Sequence, residues 1–363
     1  MIALAAALWM QAAAGPAAST SFEVLSQKAI EARNARRTDE ALVLFKQALS
    51  IRPDWIDGLW EAGSIEYDQN KYQECAADFL RLASKRPDQA PPWTMAGLCL
   101  YHLRDYEKAF KSLHQAQRLQ FKEPAELGRS ARLHLALVLI KLHSYEKAIT
   151  ELVNLTRDDK KSPEIIVAAG IAGLRQAWTP PEVPEPERQK VYELGDAMAA
   201  VMEQAPKEAS KKFAIVLQNY PNDANVHFRY GAFLMQEDPD RGIQEIRRGV
   251  ELDPHLVPAL TSLATIYLKR SDPATARQFA SKAVEASPDD FATHVVLGRV
   301  MLDMDEPAAA IRELQKAVQL APESPEAHFS LASAYAKLGR GKDAARERQE
   351  FLRLRKLAGP EEP

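Results

Sequence analysis

Pro254, Pro288 and Pro322 stand 34 residues apart twice over, and Pro53 and Pro87 repeat the interval near the other end of the chain. A fixed period of that length means that one small supersecondary unit recurs. The 363 residues therefore fold as an array, not as the two or three separate domains that length alone suggests. Counting each of these prolines as the thirty-second residue of a unit places repeats at 22–55, 56–89, 90–123, 129–162, 163–222, 223–256, 257–290, 291–324 and 325–358. The fragments Tyr106–Phe110 and Tyr145–Ile149, YEKAF and YEKAI, fall at matching places.

Small residues test the register, because two helices approach closely only where the facing side chains are short. Near the middle of each unit's first helix stand Ala29, Gly63, Gly97, Ala136, Gly170, Gly231, Ala264, Gly298 and Ala332. Early in each second helix stand Ala41, Cys75, Ala109, Ala148, Ala209, Gly242, Ala276, Ala310 and Ala344, with larger apolar residues four places on, as at Phe45, Phe79, Leu113 and Leu314. Each unit then reads as an antiparallel helix pair whose apolar face is buried only by stacking on its neighbours. The closing prolines stop the second helix. A bulky substitution such as Gly97→Leu is expected to split the stack.

Trp93, Ala96, Gly97, Tyr106, Ala109, Leu113 and Ala116 in the third unit, and Leu297, Gly298, Ala310, Leu314, Ala317 and Pro322 in the eighth, resemble the tetratricopeptide-repeat family. The resemblance spans 337 of the 363 residues and implies an all-α, right-handed superhelical solenoid of antiparallel helix pairs. It departs at the sixth unit, one residue short around Glu237 to Arg241, and where Phe121, Lys160 and Lys356 replace the closing proline.

The organisation expected is four repeats over 22–162, a fifth over 163–222, four more over 223–358, and a tail at 359–363. In the fifth, a first helix from Pro163 to about Gln176 and a second from about Lys207 to Asn219 leave 177–205 as an insert. Pro180, Pro181, Pro184 and Pro186 make its first part an extended strap. Val191, Leu194, Met198, Val201 and Met202 mark one face of a helix in its second part. That face is expected either to occupy or flank the groove of the front repeats or to pack on the back as a spacer. Ahead of the array, residues 1–18 read as a signal peptide, an apolar run followed by small residues with cleavage options after Ala14 or Ala18. Export to the periplasm or outside the cell is the expectation, with a cytoplasmic location as the alternative. The run is about half the roughly 20 residues of a spanning helix, so no integral membrane span is expected.

In the resembling family the concave surface is lined by the first helices. Carried onto this chain, that implies a front groove of Trp60, Tyr67, Leu98, Tyr101, Leu133, Leu137, Ile140, Ile171 and Leu174, apolar and aromatic. The rear repeats supply a mixed set including Met235, Thr261, Thr265, Lys269, Arg299, Asp303, Phe329, Ser333 and Lys337. An apolar groove suits a peptide or a protein partner with hydrophobic anchors. The function implied is a non-catalytic scaffold or adaptor; the alternative is a structural component of a cell-envelope assembly or secretion machine, and a metal-binding or enzymatic role ranks below both. The family's carboxylate clamp is not expected, since its places hold Ser26, Ile30, Glu61, Thr94 and Leu98.

The remaining chemistry is thin. A net charge of -3 gives no basic field for nucleic acid. No Gly-rich phosphate loop, nucleophile elbow or His-Glu-x-x-His is present, and no cofactor is implied. His227, His294 and His328 fall at one repeat position, which reads as packing in place of tryptophan and not as a metal site. Cys75 and Cys99 sit at small-residue places on adjacent repeats, as packing residues or, in an exported protein, as a disulfide.

Overall fold

The computed structural model describes residues 16–119, 125–158 and 162–358, and among these it holds 19 α-helices and no strand. The chain forms two compact units, 1–203 and 204–363. In the first, α1 (Pro16–Asn34) pairs with α2 (Thr38–Ile51), α3 (Ile56–Asp68) with α4 (Tyr72–Lys85), α5 (Ala90–His102) with α6 (Tyr106–Arg118) and α7 (Ala125–Lys141) with α8 (Tyr145–Asp158). α9 (Pro163–Gly173) then packs on α10 (Arg188–Met202). In the second, α11 (Pro206–Asn219) leads into α12 (Ala224–Glu237) with α13 (Pro239–Leu252), and α14 (Val257–Lys269) with α15 (Pro273–Ala286). The last pairs are α16 (Phe291–Asp303) with α17 (Pro307–Leu320), and α18 (Pro325–Lys337) with α19 (Gly341–Ala358). The leader expected over 1–18, apart from the start of α1, lies outside the described residues, as do Phe121, Lys160 and the tail.

Local chemistry explains the repetition. Ser162, Asp223, Asp290 and Ser324 cap the starts of α9, α12, α16 and α18 by accepting hydrogen bonds from backbone N–H groups. Proline opens α11, α13, α15 and α17, where the missing N–H costs nothing. The turn between paired helices bends through one left-handed residue, at Arg36, Asn70, Arg104, His143, Ser271, Asp305 and, as glycine, Gly339. The seam inside each pair is the small-to-large contact that the spacing predicts. A Cβ on Gly63 would meet Phe79 at 2.8 Å, on Gly97 Leu113 at 2.6 Å, and on Gly298 Leu314 at 2.5 Å. Phe79, Leu113 and Leu314 are fully buried in return. Burial at about 25 cal/mol per Å² of apolar surface, repeated along the stack, holds such an array together.

The stretch 163–222 departs from the expected division. Within the first unit the backbone of α9 rests on α10, so 188–202 is a packing partner of α9 and not an inserted spacer. A Cβ on Gly170 would fall 1.8 Å from the Val191 carbonyl oxygen, and one on Gly195 1.9 Å from that of Ile166. The face of α10 that carries Val191, Leu194 and Met198 is buried against α9, while Val201 stays 38% exposed. α10 ends in a left-handed turn at Gln204, as the first helices of other repeats do. In sequence, Ala197, Ala209, Phe213 and Pro221 stand at the eighth, twentieth, twenty-fourth and thirty-second places of a unit 190–223. The following unit then starts at Ala224 with 33 residues, which absorbs the one-residue shortfall. In the structure it is α9 and α10 that form the helix pair, with the strap between them. In the second unit, α11 lies against α12 through Phe213, stacked on Tyr230 at 5.2 Å and on Phe233 at 5.6 Å.

Candidate functional site

The first helices α3, α5, α7 and α9 carry the nine residues expected to line the front groove. Leu98, Leu137, Ile140, Ile171 and Leu174 are buried, each at most 6% exposed. Trp60, Tyr67, Tyr101 and Leu133 are half-buried. The aromatic members knit neighbouring repeats. Tyr67 lies 3.5 Å from the His102 ring nitrogen, His102 stacks on Tyr72 at 4.3 Å, and Tyr101 meets His134 edge-on at 5.0 Å. Burial pushes the Tyr101 phenol up and the His102 and His134 imidazoles down, so all three favour their neutral forms.

The strap behind α9 docks on this same unit. It contains two 3₁₀ turns, Pro180–Glu182 and Glu185–Glu187, and Val183 between them is only 4% exposed. The Glu182 carboxylate accepts from the Thr179 N–H at 2.8 Å and from Lys141 at 2.9 Å, and it pairs with Arg104 at 3.3 Å. Lys141 also donates to the Ala177 carbonyl at 2.8 Å. Partial burial of Glu182 opposes its ionisation, but the Thr179 and Lys141 hydrogen bonds outweigh it and hold the carboxyl at a pKa of about 2. Lys141 closes α7 and Arg104 follows α5, so the strap is anchored at the C-terminal ends of two groove-lining helices. The sequence marked the strap by its prolines, but nothing in it singled out Glu182, Arg104 or Lys141.

Two hollows lie on the first-helix face of the second unit. One hollow of about 600 Å³ is lined by Met235, Ile246, Thr261, Thr265, Ile266 and Lys269 among others. Another of about 540 Å³ is lined by Arg299, Asp303, Glu326, Phe329, Ser333 and Lys337 among others. These residues belong largely to the set that the family pattern assigned to the rear repeats, and Phe329 is 55% exposed.

Two further groups have structural employment. His227, His294 and His328 each face a second-helix carboxylate through Nδ1, with Glu245 at 2.7 Å, Glu313 at 2.7 Å and Glu347 at 2.8 Å. Through Nε2 each reaches the carbonyl of a closing proline, Pro221, Pro288 or Pro322, at 2.9 to 3.0 Å. Trp93 makes the same carbonyl contact, from its indole N–H to Pro87 at 3.2 Å. The histidines therefore take the tryptophan place and add a tie to the second helix, with both ring nitrogens engaged. Cys75 and Cys99 form a disulfide between α4 and α5, with Cα atoms 6.1 Å apart and both residues buried.

Comparison with known proteins agrees with the repeat reading. Residues 197–355 match the model of the middle TPR-like domain of cilia and flagella-associated protein 70, and residues 60–120 match that of the tetratricopeptide repeat. No curated protein matches the chain. Among solved structures, MamA 41-end from Desulfovibrio magneticus RS-1 is similar at 21% identity and a TM-score of 0.41, over 45% of this chain and 93% of that one. MamA from strain AMB-1 is similar at 21% identity and a TM-score of 0.39, over 45% of this chain and 97% of that one.

Proposed function

The chain belongs to the tetratricopeptide-repeat family, and on that premise we propose that it is a non-catalytic scaffold that holds a protein partner on the concave side of its second unit. The observation that carries this is the contrast between the units. Five of the nine front-groove residues are buried, whereas the first-helix face of the second unit borders two hollows whose linings include the apolar residues Met235, Ile266 and Phe329. Of the half-buried row, Tyr67 and Tyr101 then serve to join repeats, through His102 and His134.

Affinity purification from the native source tests the reading with two variants. Met235→Arg with Phe329→Arg is expected to lose the partners that the wild type recovers, and Trp60→Ala with Tyr101→Ala to keep them. The reverse pattern returns the site to the front groove.

The Cys75–Cys99 disulfide supports an exported protein, because buried disulfides persist in oxidising compartments. An envelope location would also suit the alternative role as a fixed component of an assembly. N-terminal sequencing of the mature protein and cell fractionation test this; an intact N-terminus in the cytoplasm would refute it.

A further inference from the structure

His227, His294 and His328 are each the fourth residue of their helix, in α12, α16 and α18, and Trp93 holds that place in α5. The Trp93 indole can only donate, and it donates to the Pro87 carbonyl at 3.2 Å. The histidines meet the matching carbonyls of Pro221, Pro288 and Pro322 through Nε2, so Nε2 carries a proton. Across Nδ1 stands a carboxylate oxygen at 2.7 to 2.8 Å, and an ionised carboxylate only accepts. A neutral imidazole has a single N–H and satisfies one of these two acceptors; at the other, lone pair would face lone pair. Each clasp therefore closes only with one further proton. Imidazole is the stronger base, with an ordinary pKa of about 6.5 against about 4.3 for a glutamate, so that proton sits on the ring.

The surroundings support this. Where the ring is absent the acid is absent too, since the same two places hold Leu260 and Phe279 in α14 and α15, and Trp93 and Ser112 in α5 and α6. The three rings are 6 to 9% exposed, so water does not stand in for a missing donor. The charged groups that face them are Glu245, Glu313 and Glu347 from the second helices and the capping carboxylates Asp223 and Asp290 in the turns before α12 and α16. His328 also meets Glu350, one turn along α19, and Arg346 donates to the other oxygen of Glu347 at 3.1 Å. The positive end of each helix dipole opposes a cation here, but it is a partial charge spread over several N–H groups, whereas the carboxylate is a full charge in hydrogen-bond contact.

We propose that the second unit folds around three buried imidazolium rings, His227, His294 and His328, and is a pH-sensitive stack that tightens in weak acid and loosens as the medium turns alkaline. An unfolded imidazole loses its proton near pH 6.5. Above that pH the folded unit holds more protons than the unfolded chain, so the clasps' contribution is fully present below it and is lost as pH rises. α3 and α5 carry Leu59 and Trp93 at this place, so the device belongs to the second unit. α12, α16 and α18 also border the two hollows, so the helices that the protons hold are those that present the proposed partner face. The proton count itself does not depend on the scaffold reading.

Long-range proton–nitrogen NMR spectra of the full-length, nitrogen-15-labelled protein near pH 7.5 read the ring protons directly. Of the eight histidines, His227, His294 and His328 are expected to carry protons on both nitrogens. Glu313→Gln keeps the side-chain shape but lets an amide N–H donate to Nδ1, so His294 should become neutral while the other two rings stay as they were. Urea unfolding followed by circular dichroism reads the consequence. Between about pH 6 and 8.5 the folding constant should fall at least about tenfold further in the wild type than in the variant with Glu245→Gln, Glu313→Gln and Glu347→Gln, which cancels the titration of every other group. A bare nitrogen on each of the three wild-type rings near pH 7.5, or parallel pH profiles for the two proteins, overturns the proposal. The wild-type spectrum decides it even where the triple variant does not fold.

Discussion

Replacing Gly195 by alanine tests the most unexpected contact in the fold. The new Cβ would sit 1.9 Å from the Ile166 carbonyl oxygen and close to the Gly170 backbone. A carbon in van der Waals contact with a carbonyl oxygen needs about 3.3 Å, so α9 and α10 must part by about 1.4 Å. Backbone cannot swing aside as a flexible side-chain tip can, and overpacking of this kind costs about 1 to 3 kcal/mol or more. Parting the helices also loosens Val191, Leu194 and Met198, which the contact buries. Alanine recovers about 1 kcal/mol of helix propensity. With the backbone clash at the upper end of that range, the expected net loss is about 2 kcal/mol. Tryptophan fluorescence during urea unfolding isolates the effect, because all five tryptophans lie at or before Trp178, within the first compact unit. Gly341→Ala is the control: no atom lies within 4 Å of its added Cβ, and it belongs to the second unit. If Gly195→Ala left the fluorescence midpoint within about 0.5 kcal/mol of wild type, the α9–α10 contact would be wrong and the pairing of α9 with 206–219 would be restored.

Three other perturbations bear on the strap, the clasps and the disulfide. Because Glu182 has its folded pKa depressed from 4.5 to about 2, its contribution is present above the unfolded value and is lost as pH falls from there towards 2. Partial exposure limits that contribution to about 1 to 2 kcal/mol; the fluorescence midpoints of wild type and Glu182→Gln should differ at pH 7 and converge near pH 2, and a constant gap would refute the assignment. His294→Ala removes the ties to Glu313 and Pro288, and should lower the urea midpoint seen by circular dichroism by about 2 to 3 kcal/mol while leaving the tryptophan transition in place. Reduction of Cys75–Cys99, whose sequence separation is 24, should cost the first unit about 3 kcal/mol of fluorescence-monitored stability, and native protein should show no free thiol before reduction.

The repeat was legible because its physics is local and periodic. Gly63, Gly97 and Gly298 could be assigned to seams from spacing alone, and the structure places Phe79, Leu113 and Leu314 against them. The same rule misplaced the fifth repeat for an identifiable reason. It asked only for a small residue at a fixed place, and in an alanine-rich chain both Gly170 and Ala197 satisfy it as the first-helix counterpart of Ala209. The stronger signal was Gly195, since a glycine inside a helix is costly unless a backbone approaches it. The open and closed faces were not legible at all. Family positions state which residues point inward, and only three-dimensional placement shows that five of the nine apolar residues are buried while the mixed set borders hollows.

The interruption itself accounts for where the first unit closes. An array whose next helix arrives only after an extended strap leaves on α9 an apolar face that this helix and the strap must cover. α9 is apolar all round, with Ile165, Ile166, Ala168, Ala169, Ile171 and Ala172 buried, so it tolerates no wetted side. Two devices cover it. Gly170 and Gly195 let α10 approach to backbone contact, and the strap follows α9 and is fixed by Glu182 to the ends of its predecessors. The ion pairs at Lys141 and Arg104 are what an extended segment needs, because it has few apolar side chains with which to anchor itself. Charge therefore does for the strap the anchoring that an apolar helix face does elsewhere in the array.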